Sequence, residues 1–252
     1  METADHPPEL EEWSAALAPQ RLVGGTVSDP PETISLETGY ALAARWVGVL
    51  GSPAGWKIGA TSEGAMEFLK MSEPIMGRLF SQRIWYDGDR ADLAGDRPAE
   101  AEPEIAFLLA RPLEAGGDPL ASIGEARAAA EIVRPSHDEP FRLGAGFIVA
   151  DNAAGLGALI GPAIPLDRLS APESLSVTLA VKGGASCTGS AEAVLGNPLE
   201  ALRWLAGRLG RIPAGSWVLS GAMARAIQLT GSAGEGELTL DAGEFGRAGL
   251  FY

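Results

Sequence analysis

AEPEIAF, residues 101–107, places two glutamates two positions apart in a run that otherwise reads as a strand. Strand side chains alternate faces, so Glu102 and Glu104 share one face while Ile105 and Phe107 take the other. Two adjacent carboxylates beside apolar chain repel each other unless something positive lies between them. A solvated strand face is the ordinary outcome for such a pair. A hard divalent cation is the alternative, because oxygen ligands suit Mg²⁺ or Mn²⁺.

The rest of the chain narrows what such a pair can do. The 252 residues suffice for one large domain or two small ones with a substantial core. Hydrophobic residues make up 46 % and charged residues 21 %, which argues against disorder. Net charge is −14, from 33 acids against 19 bases, and disfavours both nucleic acid and an anionic membrane surface. With Cys187 the single cysteine and His6 and His137 the two histidines, the composition excludes an intrachain disulfide framework and a Cys₄ site and argues against a His-rich zinc site. Any metal site must be built mainly of oxygen.

No apolar signal segment is visible in METADHPPELEEW, residues 1–13. The apolar stretch Gly144–Leu166 is about long enough to span a bilayer. It is interrupted by Asp151 and Asn152 and reads better as a buried strand, turn and strand. A cytoplasmic protein is expected.

Periodicity predicts a helix over 8–18, loop over 19–33 and a helix over 36–50 capped by Ser35. GWKIGATS (55–62) reads as a strand, 63–70 as a short helix, and 86–100 as a linker or long loop. Beyond it, IAFLLA, GFIVA, ALIG, SVTLAVKG, SWVLSG and GELTLD read as strands, with helices at about 121–131 and 198–210. The pattern is α+β: residues 1–90 form a helical cap region contributing the Lys57 strand, and 91–252 a β-rich core, in one integrated domain.

Other residues carry two readings each. Lys57 lies mid-strand in an apolar frame, where it snorkels to water or faces oxyanion charge. Glu131, read at the end of the alanine-rich helix, is a surface acid or a third carboxylate. Asp151-Asn152 forms a hydrogen-bonded turn or lines a site. His137 reads as exposed loop and Cys187 as a small core residue.

Taken in order, GWKIGATS, EPIMGRLF (73–80), EPEIAFLL (102–109), AEIV (130–133), VADNAAG (149–155), TGSAEAVLGNPLEALRWLA (188–206) and LSGA (219–222) resemble the 2-keto-4-pentenoate hydratase and 4-oxalocrotonate decarboxylase group of the fumarylacetoacetate hydrolase superfamily. The resemblance implies a mixed β-roll core with outer helices and a homo-oligomer. It implies Mg²⁺ or Mn²⁺ on Glu102, Glu104 and Glu131, with Lys57 and Glu73 catalytic. Ser62, Leu79, Asp151, Asn152 and Ser220 fall on implied substrate contacts. The implied chemistry is water addition to a 2-hydroxy-dienoate or 2-oxo-enoate. A 2-oxo acid decarboxylase, a C–C hydrolase or a non-catalytic subunit paired with a paralogous hydratase or decarboxylase are the alternatives. Ile75, Arg134, Ala154 and Asn197 depart from the group's pattern and imply an altered substrate or a lost activity.

Overall fold

A computed structural model describes residues 8–230 and 234–252; His6 lies outside them. The chain opens with helix α1 (Pro8–Val23), followed by α2 (Leu36–Arg45) and the single turn α3 (Val47–Leu50). Ser35 caps α2, its hydroxyl accepting the Thr38 N–H. Strand β1 (Pro53–Gly59) carries Lys57, and α4 (Glu63–Phe68) starts at the Ser62 cap. Strands β2 (Ile75–Phe80), β3 (Ile84–Trp85) and the long β4 (Glu100–Leu109) follow. After the short β5 (Leu113–Glu114) and α5 (Pro119–Ser122) comes β6 (Ile123–Val133). Helix α6 (Gly144–Ala150) then leads into β7 (Gly155–Ile164).

Strands β8 (Ser176–Val181) and β9 (Ser186–Ser190) precede α7 (Pro198–Leu209), which Asn197 caps. The chain closes with β10 (Arg211–Ile212), β11 (Trp217–Leu219), β12 (Ile227–Gln228), β13 (Glu237–Asp241) and β14 (Arg247–Phe251). One sheet runs β2-β1-β11-β4-β6-β7-β3, with β12 added beside β4; a second runs β14-β13-β8-β9. Strands from residues 53–85 thus share a sheet with strands from residues 100–228. The main core fills the space between the sheets and α7, around Phe107, Leu159, Leu179, Leu202 and Leu238. Another cluster joins α1, α2 and α6 through Leu10, Leu17, Leu42 and Phe147. No helix among the described residues is long and apolar enough to cross a membrane.

Three readings of local structure are corrected. The alanine-rich segment expected as a helix is strand β6, paired to β4 on one edge and β7 on the other. Alanine's helix preference amounts to a few tenths of a kcal/mol per residue. It yields to two full ladders of hydrogen bonds, which place Ala126, Ala128, Ala129 and Ala130 in a tightly packed interior. GFIVA, read as a strand, is helix α6: a fully buried apolar run has no polar face to reveal its period. Helix α6 meets α2 closely, since a Cβ on Gly39 would stand 2.3 Å from the Gly146 carbonyl oxygen. Finally, α1 continues through Pro19 to Val23 and delivers Arg21 to the interior.

Candidate metal centre

Strand β6, formed where a helix was expected, is what builds the site. In the β4–β6 ladder Glu102 stands directly opposite Glu131, and Glu104 lies one strand repeat along β4. One oxygen from each of the three carboxylates lies within 4.8 Å of the others. Glu104 and Glu131 are fully buried. Glu104 Oε2 accepts the Gly221 N–H at 2.8 Å, while Glu104 Oε1 and both Glu131 oxygens lack hydrogen-bond partners. Buried polar atoms are almost always satisfied, and beyond the Lys57 ammonium, which reaches only Glu131 Oε2, the cluster leaves Glu104 Oε1 and Glu131 Oε1 open to a further positive partner. The donors are all hard oxygens, and they fit a divalent cation.

Lys57 Nζ stands 3.2 Å from Glu131 Oε2, an ion pair without the alignment of a hydrogen bond. Two glycines make room for this side chain. A Cβ on Gly155 would meet Glu131 Oε1 at 3.0 Å and Lys57 Cε at 3.1 Å. On Gly77 it would meet Lys57 Cδ at 3.1 Å and the Asn152 carbonyl oxygen at 2.4 Å. The residues Asn152, Ala153 and Ala154, at φ of 54°, 49° and 59°, all adopt the left-handed conformation next to this pocket. Such backbone costs about 1–3 kcal/mol per residue and concentrates at functional sites.

Burial and the neighbouring charges set the protonation of the group. Burial, then Glu131, pushes the Glu102 carboxyl up to about 7, against the opposing pull of Lys57. Burial also raises Glu104 well above the usual carboxylate range, with Glu131 and Glu102 adding to it. Glu131 is raised by burial, which Lys57 partly offsets. For Lys57 burial works downward, but Glu131, Glu102 and Glu104 outweigh it and hold the ammonium above its usual value. A raised carboxyl favours the folded state below the ordinary value of 4.5 and loses that contribution as pH rises through about 7. Metal-free protein should therefore lose more melting temperature than Glu102→Gln between about pH 5 and about pH 8, as thermal melts of the two will show.

A cavity of about 660 Å³ opens onto the group, with Lys57, Ser62, Glu100 and Glu102 in its wall. A larger cavity of about 860 Å³, lined by residues 90–99 with Leu229, Gly234 and Tyr252, lies apart from the carboxylates. Several expected contacts are not brought to the wall of the 660 Å³ cavity. Glu73 instead accepts the Trp204 indole N–H at 3.2 Å and lies 3.8 Å from Arg208. Leu79 is core, packed with Ala106, Ala129 and Leu219. Asn152 spends its amide on the β2 backbone: Oδ1 accepts from Arg78 N at 2.7 Å, and Nδ2 donates to the Arg78 carbonyl at 3.0 Å. The Ser220 hydroxyl accepts the Ile105 N–H at 3.3 Å. Asp151 accepts from Arg21 at 2.6 Å and from the Ser136 N–H at 2.8 Å. Of the departing positions, Ile75 and Ala154 line the cavity, whereas Arg134 and Asn197 do not.

Arg21 was not legible as a site residue. Its guanidinium, 5 % exposed, also donates to the Gly155 carbonyl at 2.6 Å, and so clamps both ends of the 151–155 turn beside the carboxylates. A helical arginine after a proline gives no local signal of that reach. Arg97 and Arg142 also line the cavity unannounced by any motif.

No family model matches the chain. A 4-oxalocrotonate decarboxylase of a Pseudomonas species is 33 % identical over 189 residues, 69 % of this chain and 70 % of that protein. A 2-keto-4-pentenoate hydratase of Burkholderia vietnamiensis is 34 % identical over 177 residues, 67 % of each chain. Among solved structures, 4-oxalocrotonate decarboxylase from Pseudomonas putida G7, complexed with magnesium and adipate, superposes with a TM-score of 0.79 at 23 % identity over 95 % of this chain and 97 % of that one. The last likeness carries the fold, an α+β architecture with a curled mixed sheet, and the first two carry the kinship. The chain belongs to the 2-keto-4-pentenoate hydratase and 4-oxalocrotonate decarboxylase group of the fumarylacetoacetate hydrolase superfamily.

Proposed function

We propose that this chain is a metal-dependent hydro-lyase that adds water to a 2-hydroxy-dienoate, or to the 2-oxo-enoate it becomes on ketonisation. The observation that carries this reading is the buried group of Glu102, Glu104 and Glu131 around Lys57, with Glu104 Oε1 and Glu131 Oε1 unpartnered, at the base of an open cavity. Glu102, Glu104 and Glu131 would hold Mg²⁺ or Mn²⁺. When bound, the cation supplies Lewis-acid polarisation of the keto oxygen of a 2-oxo acid.

The chain's own residues supply the rest. Lys57, kept protonated by its three acids, brings fixed positive charge to the oxygen on which enolate charge develops. Burial of Glu104, Glu131 and Lys57 keeps water from screening that charge. Arg21 and Asn152 hold the 151–155 turn and act as positioning residues. Glu73, held by Trp204, stays outside this machinery. In the overall reaction the dienol loses its O–H proton as C5 gains one, which gives the 2-oxo-3-enoate, and water then adds across the remaining double bond, its hydroxyl to C4 and its proton to C3. The homo-oligomer implied by the resemblance and the cytoplasmic location expected from the sequence belong to the same proposal.

Ultraviolet monitoring of fresh 2-hydroxypenta-2,4-dienoate tests the reaction. Metal-dependent loss of the conjugated absorbance, with 4-hydroxy-2-oxopentanoate as product, is expected; metal-loaded protein that leaves the dienoate intact contradicts it. Decarboxylation of a 2-oxo-enedioate is the second reading, favoured by the relative named 4-oxalocrotonate decarboxylase. Release of CO₂ from that diacid separates the two.

A further inference from the structure

The cavity has a second character away from the carboxylates. Leu69, Ile75, Val133 and Ile148 contribute apolar wall, and two aromatic side chains, Phe68 and Phe141, stand with them. Phe68 ends helix α4, and Phe141 lies in the short 3-10 turn Pro140–Leu143. Their rings meet edge to face, with centroids 5.1 Å apart and planes at 71°. Although they touch, Phe68 stays 64 % exposed and Phe141 57 % exposed. Two large aromatic faces joined across a cavity and left wet mark a surface that gains by covering an apolar ligand.

The cations in the same wall are already committed. Arg97 Nη1 lies 2.6 Å from Asp138 Oδ1. Arg142 Nη2 donates to both oxygens of Asp29, at 2.8 and 2.9 Å, and Arg142 Nε donates to Glu139 at 3.2 Å. A second carboxylate on the substrate would have to displace these acids, and would meet Asp138, Glu139 and Glu100 in the wall. These pairs are partly exposed, so a substrate carboxylate would only exchange one acid for another there and find no unpaired arginine to gain by. The volume, about 660 Å³, lies in the range of pockets that hold ligands far larger than a five-carbon acid.

We propose that the site takes a 2-oxo acid with a bulky apolar far end, such as a phenyl group, seated against Ile75 and Ile148 and covered by the Phe68–Phe141 pair. This specificity rests on the 2-oxo acid reading above, and it departs from a second carboxylate at the tail. The saturated acids 2-oxopentanoate, 2-oxo-5-phenylpentanoate and 2-oxohexanedioate isolate binding from turnover. Calorimetric titration of each into the full-length protein in saturating Mg²⁺ gives three affinities.

The phenyl acid should bind about 10-fold or more tighter than 2-oxopentanoate, from the apolar area it covers, and the diacid no tighter. Phe68→Ala and Phe141→Ala should each cut the phenyl-to-pentanoate affinity ratio by about 5-fold, the share of one ring. Equal affinities for the phenyl and pentyl acids, or tightest binding of the diacid, overturn the tail assignment and leave the 2-oxo acid reading in place. Binding of none of the three by protein that binds Mg²⁺ overturns both. A ratio unchanged in both alanine variants overturns the role of the aromatic pair.

Discussion

Glu104→Gln is expected to abolish turnover and Mg²⁺ binding while raising the melting temperature of the metal-free protein. Glu104 is fully buried, with Oε2 on the Gly221 N–H and Oε1 without a partner. Glutamine keeps the first contact through its amide oxygen and places an N–H₂ donor where the orphaned oxygen stood, beside Glu131. Burial, with Glu131 and Glu102, holds the Glu104 carboxyl well above the usual carboxylate range, and glutamine fixes that uncharged form without a proton to lose, so the gain in stability grows as pH rises. The same change withdraws a hard anionic ligand, so kcat/KM should fall on the order of 10³-fold or more. Thermal melts with and without Mg²⁺, beside activity, check both signs together. A variant that still binds the metal as wild type does would remove Glu104 from the ligand set.

Lys57→Met should separate metal binding from chemistry. The ammonium is 3.2 Å from Glu131 and stands among the same carboxylates that would hold the cation, so it competes for their charge. Its removal should leave Mg²⁺ affinity undiminished or tighter, and lower kcat by about 10²–10³-fold, the usual cost of one group stabilising an oxyanion. Metal-free Lys57→Met should also be less stable at neutral pH than wild type, since the crowded acids lose the ammonium that pairs with Glu131. Calorimetry and steady-state kinetics give the two numbers. Loss of metal affinity in parallel with kcat would make Lys57 a structural prop of the cluster.

Much of the site was legible because strand parity is unambiguous. Glu102 and Glu104 had to share a face, and a chain poor in histidine and cysteine left oxygen as the ligand chemistry. Glu131 was legible only through the resemblance. Its own segment, rich in alanine, carries a helix preference that the ladders of β4 and β7 override, and nothing within residues 121–131 encodes those partners. Helix α6 failed for the opposite reason: Gly146 to Ala150 are all buried, and burial on every side erases the period. Long-range ties were beyond local reading altogether. Arg21 bonds Asp151 across 130 positions, and Asn152 bonds Arg78 across 74. Both tie the 151–155 turn to distant parts of the chain.

Proton exchange at C3 of 2-oxopentanoate in D₂O, followed by NMR, tests most directly whether these carboxylates and Lys57 promote enolisation of a 2-oxo acid. It needs neither the true tail nor the final water addition. The wild-type protein with Mg²⁺ should exchange the C3 protons well above the rate of Mg²⁺ alone, and EDTA, Glu104→Gln and Lys57→Met should each return it to that background. Exchange at background in metal-loaded wild-type protein, or exchange undiminished in Glu104→Gln, would contradict the account.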